Sequence, residues 1–266
     1  MLMRENNKLE WLKQYLFVVQ ELTARELKRK YARSYLGVLW SLLNPLLNMS
    51  VMTMIFSYMF RRNIVNYPIY YLTGTTFWTL FSASTQQAMS ALVDNRTLLM
   101  RAKLPKQAFI LSRIYTSLVN FLYTSLAFAL ILSIYVLRGR MALSPVLLLL
   151  PLDVIFLLFF SMGIGYTLSI VYVFFGDISY LYSVLLTLWM YLSAIFYPVD
   201  ALPKQVQNLI GINPVYVSIV FARRIVIDCK VPEAHIWIKL VGYGITSFIV
   251  GYLIFSSNEG NVMGRL

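Results

Sequence analysis

The amino-acid sequence predicts an all-α integral membrane protein, and three observations support that fold class. Apolar residues make up 59% of the 266 residues, charged residues only 13%, and the mean hydropathy is +0.68. Soluble domains are about half apolar and a quarter charged, so this much apolar surface exceeds what one aqueous core can hold. Long charge-free runs recur along the chain, whereas the short alternating segments typical of a transmembrane barrel do not occur in it.

The charge-free runs predict six transmembrane helices within one domain over residues 36–266. About 20 apolar residues cross the hydrocarbon as a helix, and the runs place the spans near residues 37–60, 68–91, 108–137, 151–174, 179–198 and 236–256. The segment 199–235 is apolar but interrupted by prolines, which favours an external re-entrant region of two short helices between the fifth and sixth spans. A seventh spanning helix is the alternative, and it would place the end of the chain outside.

The distribution of basic residues predicts that both termini lie in the cytoplasm. Eight bases precede the first span, and four more lie between the second and third spans. An excess of Lys and Arg marks the cytoplasmic side of a membrane, although Arg61, Arg62, Arg138 and Arg140 fall on the other side. The same interpretation assigns the net charge of +12 to membrane flanks, so no nucleic-acid partner is expected.

Residues 1–35 are predicted to form a cytoplasmic, amphipathic segment at the membrane interface. Leucines and a valine between Leu9 and Leu22 recur at helical spacing, which predicts a helix lying on the membrane surface. Thr23–Glu26 resembles a capping box that begins a second helix. The bases of that helix and its end are Arg25, Lys28, Arg29, Lys30 and Arg33. Two interpretations are open for them: they receive a phosphate or pyrophosphate at the headgroup level, or they anchor the topology by holding anionic lipid.

The chain contains few residues that could catalyse a reaction, so it is not expected to be an enzyme or to hold a metal. It has one cysteine, Cys229, and one histidine, His235, and it lacks a P-loop motif. Asp153 is the one acid near the interior of a predicted span. It either complements the helix dipole in a first turn or lies on a substrate path. The scarcity of ionisable groups in the spans argues against a secondary transporter, and a membrane glycosyltransferase or phosphatase would need an acidic or histidine cluster.

The second predicted span is unusually polar for a helix in lipid. It carries Ser, Thr or Gln at ten positions between Thr73 and Ser90, and polarity inside a membrane requires a partner or a water-filled path. Aromatic residues near such a path could stack on sugar rings, and a neutral, aromatic-rimmed path suits carbohydrate better than an ion. The candidates are Tyr58, Phe60, Tyr70, Phe77, Trp78, Phe81, Tyr191, Phe196 and Tyr197. The alternative is an interfacial aromatic belt.

Four motifs in order along the chain resemble those of one known family. They are Arg25–Trp40 followed by Asn44-Pro45, Pro68–Trp78 leading through Asp94-Asn95 and Leu98-Leu99 to Lys103-Leu-Pro105, Phe175-Gly-Asp177, and Phe196-Tyr-Pro198 with Leu202-Pro203 and Asn213-Pro214. Together they resemble the permease subunits of ABC-2 type polysaccharide exporters, which include the O-antigen and teichoic-acid export permeases. Leu104 stands where the family often has Phe, and Gly176 stands where it usually has a base.

The resemblance implies a fold and a set of partners. The fold would be an ABC-2 (type V exporter-like) permease in the cytoplasmic (inner) membrane of a bacterium or archaeon. The chain would form a homodimer that encloses the conduit, and two copies of a separate ATPase subunit would bind ATP and Mg, so no cofactor is expected on this chain. The substrate would be an undecaprenyl-pyrophosphate-linked or other lipid-linked polysaccharide. The alternative is an ABC-2 permease for a smaller amphiphile such as a drug, antibiotic or lipid, with a short apolar pocket between the second and fifth spans.

The resemblance also implies roles for individual residues. Residues that would receive the lipid-pyrophosphate end are Arg25, Lys28, Arg29, Arg33, Leu36 and Gly37, since charge-assisted hydrogen bonds to phosphate oxygens are strong. Residues of the loop that would couple to the ATPase are Asn95, Leu98, Leu99, Lys103, Leu104 and Pro105, with Asp177 as a smaller second contact.

Overall fold

The computed structural model describes residues 2–32, 34–56, 64, 66–101, 104–262 and 264–265, with side chains described from residue 13 onward. Within these ranges the chain is helical and contains no β-strand, which confirms the predicted all-α class. The α-helices are α1 (Leu2–Tyr31), α2 (Leu39–Met54), α3 (Tyr67–Asp94), α4 (Arg96–Arg101), α5 (Lys106–Leu137), α6 (Leu150–Phe174), α7 (Ile178–Tyr191), α8 (Lys204–Ile212), α9 (Pro214–Val226) and α10 (Ala234–Val262).

Three helical segments in the described part are long and apolar enough to cross a membrane: Lys106–Leu137, Pro145–Phe174 and Ala234–Val262. The pair α8 and α9, bent by 94°, would be a fourth if it counts as one broken span. α3 has 28 residues, but its Ser, Thr and Gln residues make it less apolar than these three. α2 and α7 are shorter, at 16 and 14 residues. The chain is therefore a multi-pass membrane protein, and the count of six spans stays a prediction.

Proline marks the first turn of several helices. Pro68, Pro151 and Pro214 lie at the first or second position of α3, α6 and α9. Proline has no backbone N–H to lose there, and its φ angle already suits a helix. Pro45 is different because it lies inside α2, where it cannot donate to the carbonyl of Ser41.

α1 is one continuous helix, so the prediction of a second helix beginning at Thr23 is wrong. The Thr23 hydroxyl donates to the Val19 carbonyl at 2.8 Å and lies 3.3 Å from the Ser112 carbonyl of α5. A threonine can hydrogen-bond to the preceding turn in this way without ending the helix. Leu22 is buried beside it against α3, α4 and α5, so this part of α1 is held by the other helices.

α6 and α10 pack so closely that three glycines leave no room for a side chain. A Cβ on Gly163 would overlap the Ser247 backbone, a Cβ on Gly251 would overlap the Gly163 backbone, and one on Gly244 would lie 2.9 Å from the Phe156 carbonyl oxygen. Small residues allow helices to approach closely where no hydrophobic effect drives their association. This pair forms the base against which α3 and α9 pack.

Contacts between helix termini show which termini lie together at each end of the helix bundle. At the α1 end, Lys106 at the start of α5 donates to the carbonyl of Glu259 near the end of α10. At the α9 end, Asn66 before α3 donates to the Arg140 carbonyl after α5 at 3.3 Å, and the Cys229 thiol donates to the Ala142 carbonyl at 3.3 Å. The end of the bundle at Lys106 and Glu259 is called the α1 end, and the end at Asn66 and Cys229 is called the α9 end.

Candidate functional site: a polar groove between α2, α3 and α5

A groove of about 550 Å³ lies between α2, α3 and α5. Lys30 and Tyr31 line it at the α1 end, and Met190 and Phe196 line it at the α9 end. The groove therefore reaches from the end of α1 to the turn after α7, along the polar second span that the sequence singled out.

Two rows of polar side chains line the groove. The α2 row is Ser41, Asn44 and Asn48, and the α3 row is Thr75, Thr79 and Gln87. Spacings of three and four residues keep side chains on one face of a helix. The Asn48 amide donates to the Asn44 side-chain oxygen at 2.7 Å, and Pro45 deprives the Ser41 carbonyl of its helical donor. Both rows therefore offer neutral hydrogen-bonding groups to the groove.

Aromatic rings interrupt the polar rows. Trp40, Tyr71, Trp78, Phe121 and Phe196 line the same groove. A site for sugars needs both kinds of group, because hydroxyls and amides bond to sugar hydroxyls and aromatic rings cover the apolar faces of the sugar ring. The lining of this groove meets that requirement without any carboxylate.

A cluster of four polar residues stands at the α1 end of the groove. The Tyr31 hydroxyl donates to Asn120 Oδ1 at 2.8 Å and lies 2.9 Å from the Ser41 hydroxyl. The Lys30 ammonium donates to the same Asn120 oxygen at 2.9 Å. The last residues of α1 thus join α2 to α5 where the groove begins. Asn120 was not singled out from the sequence, because a lone asparagine in an apolar span gives no sign of which helix it faces.

The predicted channel aromatics separate into groups. Trp78 and Phe196 line the groove, while Phe77 lines a second cavity of about 440 Å³ between α3, α5 and α6. That second cavity is almost wholly apolar and shares Thr76 and Phe121 with the first. Phe81 is completely buried in the core.

The remaining predicted aromatics lie at the α9 end of the bundle or outside the described residues. The Tyr70 hydroxyl donates to the Tyr197 carbonyl at 2.7 Å, and the Tyr197 hydroxyl donates to the Tyr191 carbonyl. These three tyrosines therefore tie the start of α3 to the turn after α7. Tyr58 and Phe60 lie outside the described residues.

A buried ion-pair cluster joins α1, α3 and α5 at the α1 end. Arg113 of α5 pairs with Glu26 at 2.8 Å and with Asp94 at 3.0 Å, and the Arg113 and Glu26 side chains are only 8% and 7% exposed. Arg25, predicted to bind a headgroup, donates to the side-chain oxygen of Asn95, which was predicted to couple to the ATPase. Arg113 is the only charged residue inside the third predicted span, a signal that could have drawn attention to it.

The other predicted headgroup residues lie on the surface near the turn between α1 and α2. Lys28 and Arg29 are exposed at the end of α1. Leu36 is exposed as well, and Gly37 adopts φ 45°, the left-handed region that favours glycine. Arg33 lies outside the described residues. The turn presents an apolar side chain and a tight backbone next to exposed bases.

α4 carries the predicted coupling residues, but two of them point inward. Asn95 and Leu99 are each 5% exposed, so they hold α4 against the bundle. Leu98 is half-buried and packs against the apolar cluster that contains Leu99. The outer face of α4 consists of Arg96, Thr97, Met100 and Arg101.

The rest of the predicted coupling loop continues from α4 to the start of α5. Leu104 and Pro105 are half-buried there, and Lys103 lies outside the described residues. Asp177 is exposed just before α7.

Residues 18–227 match the family model described as ABC-2 type transporter. The chain belongs to this family. Over 250 residues it is 31% identical to the O-antigen export system permease protein RfbA of Myxococcus xanthus, covering 93% of this chain and 95% of that protein. It is 28% identical over 243 residues to RfbA of Klebsiella pneumoniae (91% and 92% covered) and 23% identical over 243 residues to the polysialic acid transport protein KpsM of Escherichia coli (91% and 93% covered). The predicted family is confirmed.

Two buried polar residues of this ABC-2 chain lie away from the groove. Asp153 is completely buried in the first turn of α6 and accepts a hydrogen bond from Ser218 of α9 at 2.7 Å. Its place in a first turn agrees with the dipole interpretation, and it lines neither of the two cavities. Arg223 of α9 is also buried. Arg223 was not predicted from the sequence, because the local pattern does not show which of the neighbouring Arg223 and Arg224 faces inward.

Proposed function

We propose that this ABC-2 chain is the permease of an ATP-driven exporter that moves lipid-linked polysaccharide across the cytoplasmic membrane. The observation that carries the proposal is the pair of facing polar rows, with aromatic rings between them, along a groove that reaches from α1 to the turn after α7. Such a lining bonds to sugar hydroxyls and covers sugar faces at many points. By their names, the relatives from Myxococcus and Klebsiella export O-antigen, and the relative from Escherichia transports polysialic acid.

The lipid-pyrophosphate end of the substrate would bind where α1 meets α2. The exposed Lys28 and Arg29 and the Leu36-Gly37 turn lie there, and Lys30 stands at the mouth of the groove. Arg33 would add a further base. Bases suit phosphate oxygens, and the undecaprenyl or other lipid chain would stay in the bilayer.

ATP and Mg would bind to two copies of a separate ATPase subunit. The outer face of α4, with Met100 and Arg101, would seat on that subunit, and the Asp177 turn would form a smaller contact. Buried Asn95 and Leu99 would hold α4 in place, while Leu98, Lys103, Leu104 and Pro105 would complete the coupling loop.

A second copy of the chain would complete the conduit. In the described part of α2 no side chain is buried, and the large apolar side chains Leu43, Leu47 and Val51 are exposed. α2 therefore forms one wall of the groove, and its outer face is uncovered. A homodimer would cover that face and enclose the groove. With the bases of α1 and α4 on the inner side, both termini would be cytoplasmic.

Gln87 and Gln86 provide a matched test, since both lie on α3 and only Gln87 lines the groove. The complex with its ATPase is placed in vesicles and given an undecaprenyl-pyrophosphate-linked glycan. We expect the glycan lipid to stimulate ATP hydrolysis, Gln87→Leu to reduce glycan export several-fold, and Gln86→Leu to export as the unmodified protein does. Equal export by both variants would remove the groove from the glycan path.

The same vesicles distinguish the smaller-amphiphile alternative. That alternative expects an apolar pocket between the second and fifth spans, whereas the apolar cavity lies between α3, α5 and α6. Stimulation of ATP hydrolysis by amphiphilic drugs, with no response to the glycan lipid, would contradict the proposed substrate.

A further inference from the structure

The turn after α7 is a non-helical segment that needs hydrogen-bond donors. α7 ends at Tyr191, and residues 192–198 leave the helix before the next helical turn begins. The last carbonyls of a helix have no donor within the helix. Ala194 adopts φ 48°, a left-handed conformation that is uncommon for a residue with a Cβ. Such a turn persists only when its surroundings hold it in place.

Arg223 of α9 supplies those donors. Its guanidinium donates to the Ala194 carbonyl at 3.0 Å, the Ile195 carbonyl at 3.1 Å and the Tyr70 carbonyl of α3 at 3.3 Å. The guanidinium carbon also lies 3.4 Å from the centre of the Tyr70 ring, a cation–π contact. One side chain from α9 therefore joins the turn after α7 to α3.

The glycine at position 74 makes room for this arrangement. A Cβ there would lie 2.9 Å from Arg223 Nη2 and 3.2 Å from the Ile195 side chain. Arg223 is only 9% exposed, and within the described residues no carboxylate comes within ion-pair distance of it. A buried charge without a carboxylate partner is costly, so its place at this turn calls for a role beyond packing.

The turn that Arg223 holds carries the ring at the α9 end of the groove. Phe196 lines the groove there, and its ring centre lies 6.0 Å from those of Tyr71 and Tyr191 and 6.5 Å from that of Phe56. The Tyr67 hydroxyl also donates to the Phe196 carbonyl at 3.4 Å. These rings therefore surround one short segment of backbone at the α9 end of the groove.

We propose that Arg223 is a positioning residue that holds Phe196 across the α9 end of the groove, so that this end stays closed until α9 moves. The inference rests on the proposed use of the groove as a substrate path. All three hydrogen bonds come from one side chain of α9, so a displacement of α9 would withdraw them together. We call this hold of Arg223 on the turn that carries Phe196 the latch.

Leak through the resting complex tests this latch directly. Vesicles containing the complex of permease and ATPase are loaded with radiolabelled sucrose, and sucrose efflux is measured without nucleotide. We expect Arg223→Met to raise this efflux about tenfold, equivalent to a loss of 1.4 kcal/mol of gate closure, and Arg223→Lys to raise it less, because lysine keeps the charge but not the planar fork. Arg224→Met is the control, since Arg224 pairs with Asp228 and Glu233 on the surface.

Two further variants keep the test decisive if Arg223→Met does not insert. Phe196→Ala removes the ring and leaves the guanidinium in place, and Gly74→Ala displaces the guanidinium from the α3 side. Both are expected to leak. The latch would be overturned if sucrose efflux stayed at the level of the unmodified protein in inserted Arg223→Lys, Phe196→Ala and Gly74→Ala, even if the glycan lipid is exported normally. Leaking variants in a complex that ignores the glycan lipid would instead contradict the proposed function and leave the latch standing.

Discussion

Arg113 shows how a single charged side chain is accommodated inside a long apolar helix. It is buried, and two carboxylates from α1 and from the end of α3 share its guanidinium. Removing one partner of a buried ion pair leaves an uncompensated charge and costs about 3–5 kcal/mol. The pairing therefore does more than neutralise a charge: it attaches α1 to the segment that leads into α4.

Glu26→Gln is expected to lower the free energy of unfolding by about 3 kcal/mol, because Arg113 then keeps only Asp94 as a charged partner. Glu21→Gln, an exposed change on the same helix, should have almost no effect. The measurement is the thermal melting of both variants in the same detergent. Identical melting curves would mean that the ion pair contributes little to the attachment of α1.

At the scale of elements, the contact of α6 with α10 depends on glycine at specific positions. Gly163 and Gly251 face each other with no room for a side chain, whereas Gly242 on the same helix α10 has no neighbouring atom within 4 Å of its added Cβ. The three glycines look alike in the sequence. Only the packing of two helices distinguishes a glycine that is required from one that is not.

Gly251→Ala is therefore expected to push α10 away from α6 and to destabilise the protein by about 1–3 kcal/mol, the usual cost of overpacking. Gly242→Ala should leave stability unchanged or raise it by about 0.5–1 kcal/mol, because alanine favours a helix more than glycine does. Melting temperatures of the two variants in detergent provide the comparison. A Gly251→Ala protein as stable as Gly242→Ala would show that the helices separate at no cost.

At the scale of the whole molecule, the two ends of the bundle differ in their basic residues, although Arg138 and Arg140 lie at the α9 end. The α1 end carries the bases of α1 and α4, while Cys229 and the α8–α9 pair lie at the opposite end. Because basic residues mark the cytoplasmic side, this difference predicts which end of the molecule faces the cell exterior.

Cys229, the one cysteine of the chain, can report this orientation without further engineering. It is half-buried, so we expect slow but measurable labelling by a membrane-impermeant maleimide in intact spheroplasts. A Cys229→Ser protein that also carries Gly264→Cys should be labelled only after the membrane is opened. The reverse pattern would place the end of the chain outside, as the seven-span alternative expects, and would contradict the predicted topology.

The sequence also predicted part of the candidate site. The polar character of α3 and the ring at Phe196 were evident from residue type, and both belong to the groove. Asn120 and the α2 row were not predicted, because a spacing shows that residues share a face but not which helix that face meets. For the same reason Asn95 and Leu99 were predicted at a partner surface, although packing turns them inward.

Composition and charge-free runs by themselves determined that the chain is an α-helical membrane protein. Hydrocarbon satisfies no backbone hydrogen bonds, so a spanning segment must be a helix or part of a closed barrel, and the long apolar runs fit the helix. The order of motifs determined the ABC-2 family. Tertiary structure alone decided that α1 is one helix, that Arg113 is paired, and that Arg223 holds the turn at Phe196. These contacts join residues distant in the chain, and their energies depend on burial and distance, which local sequence does not record.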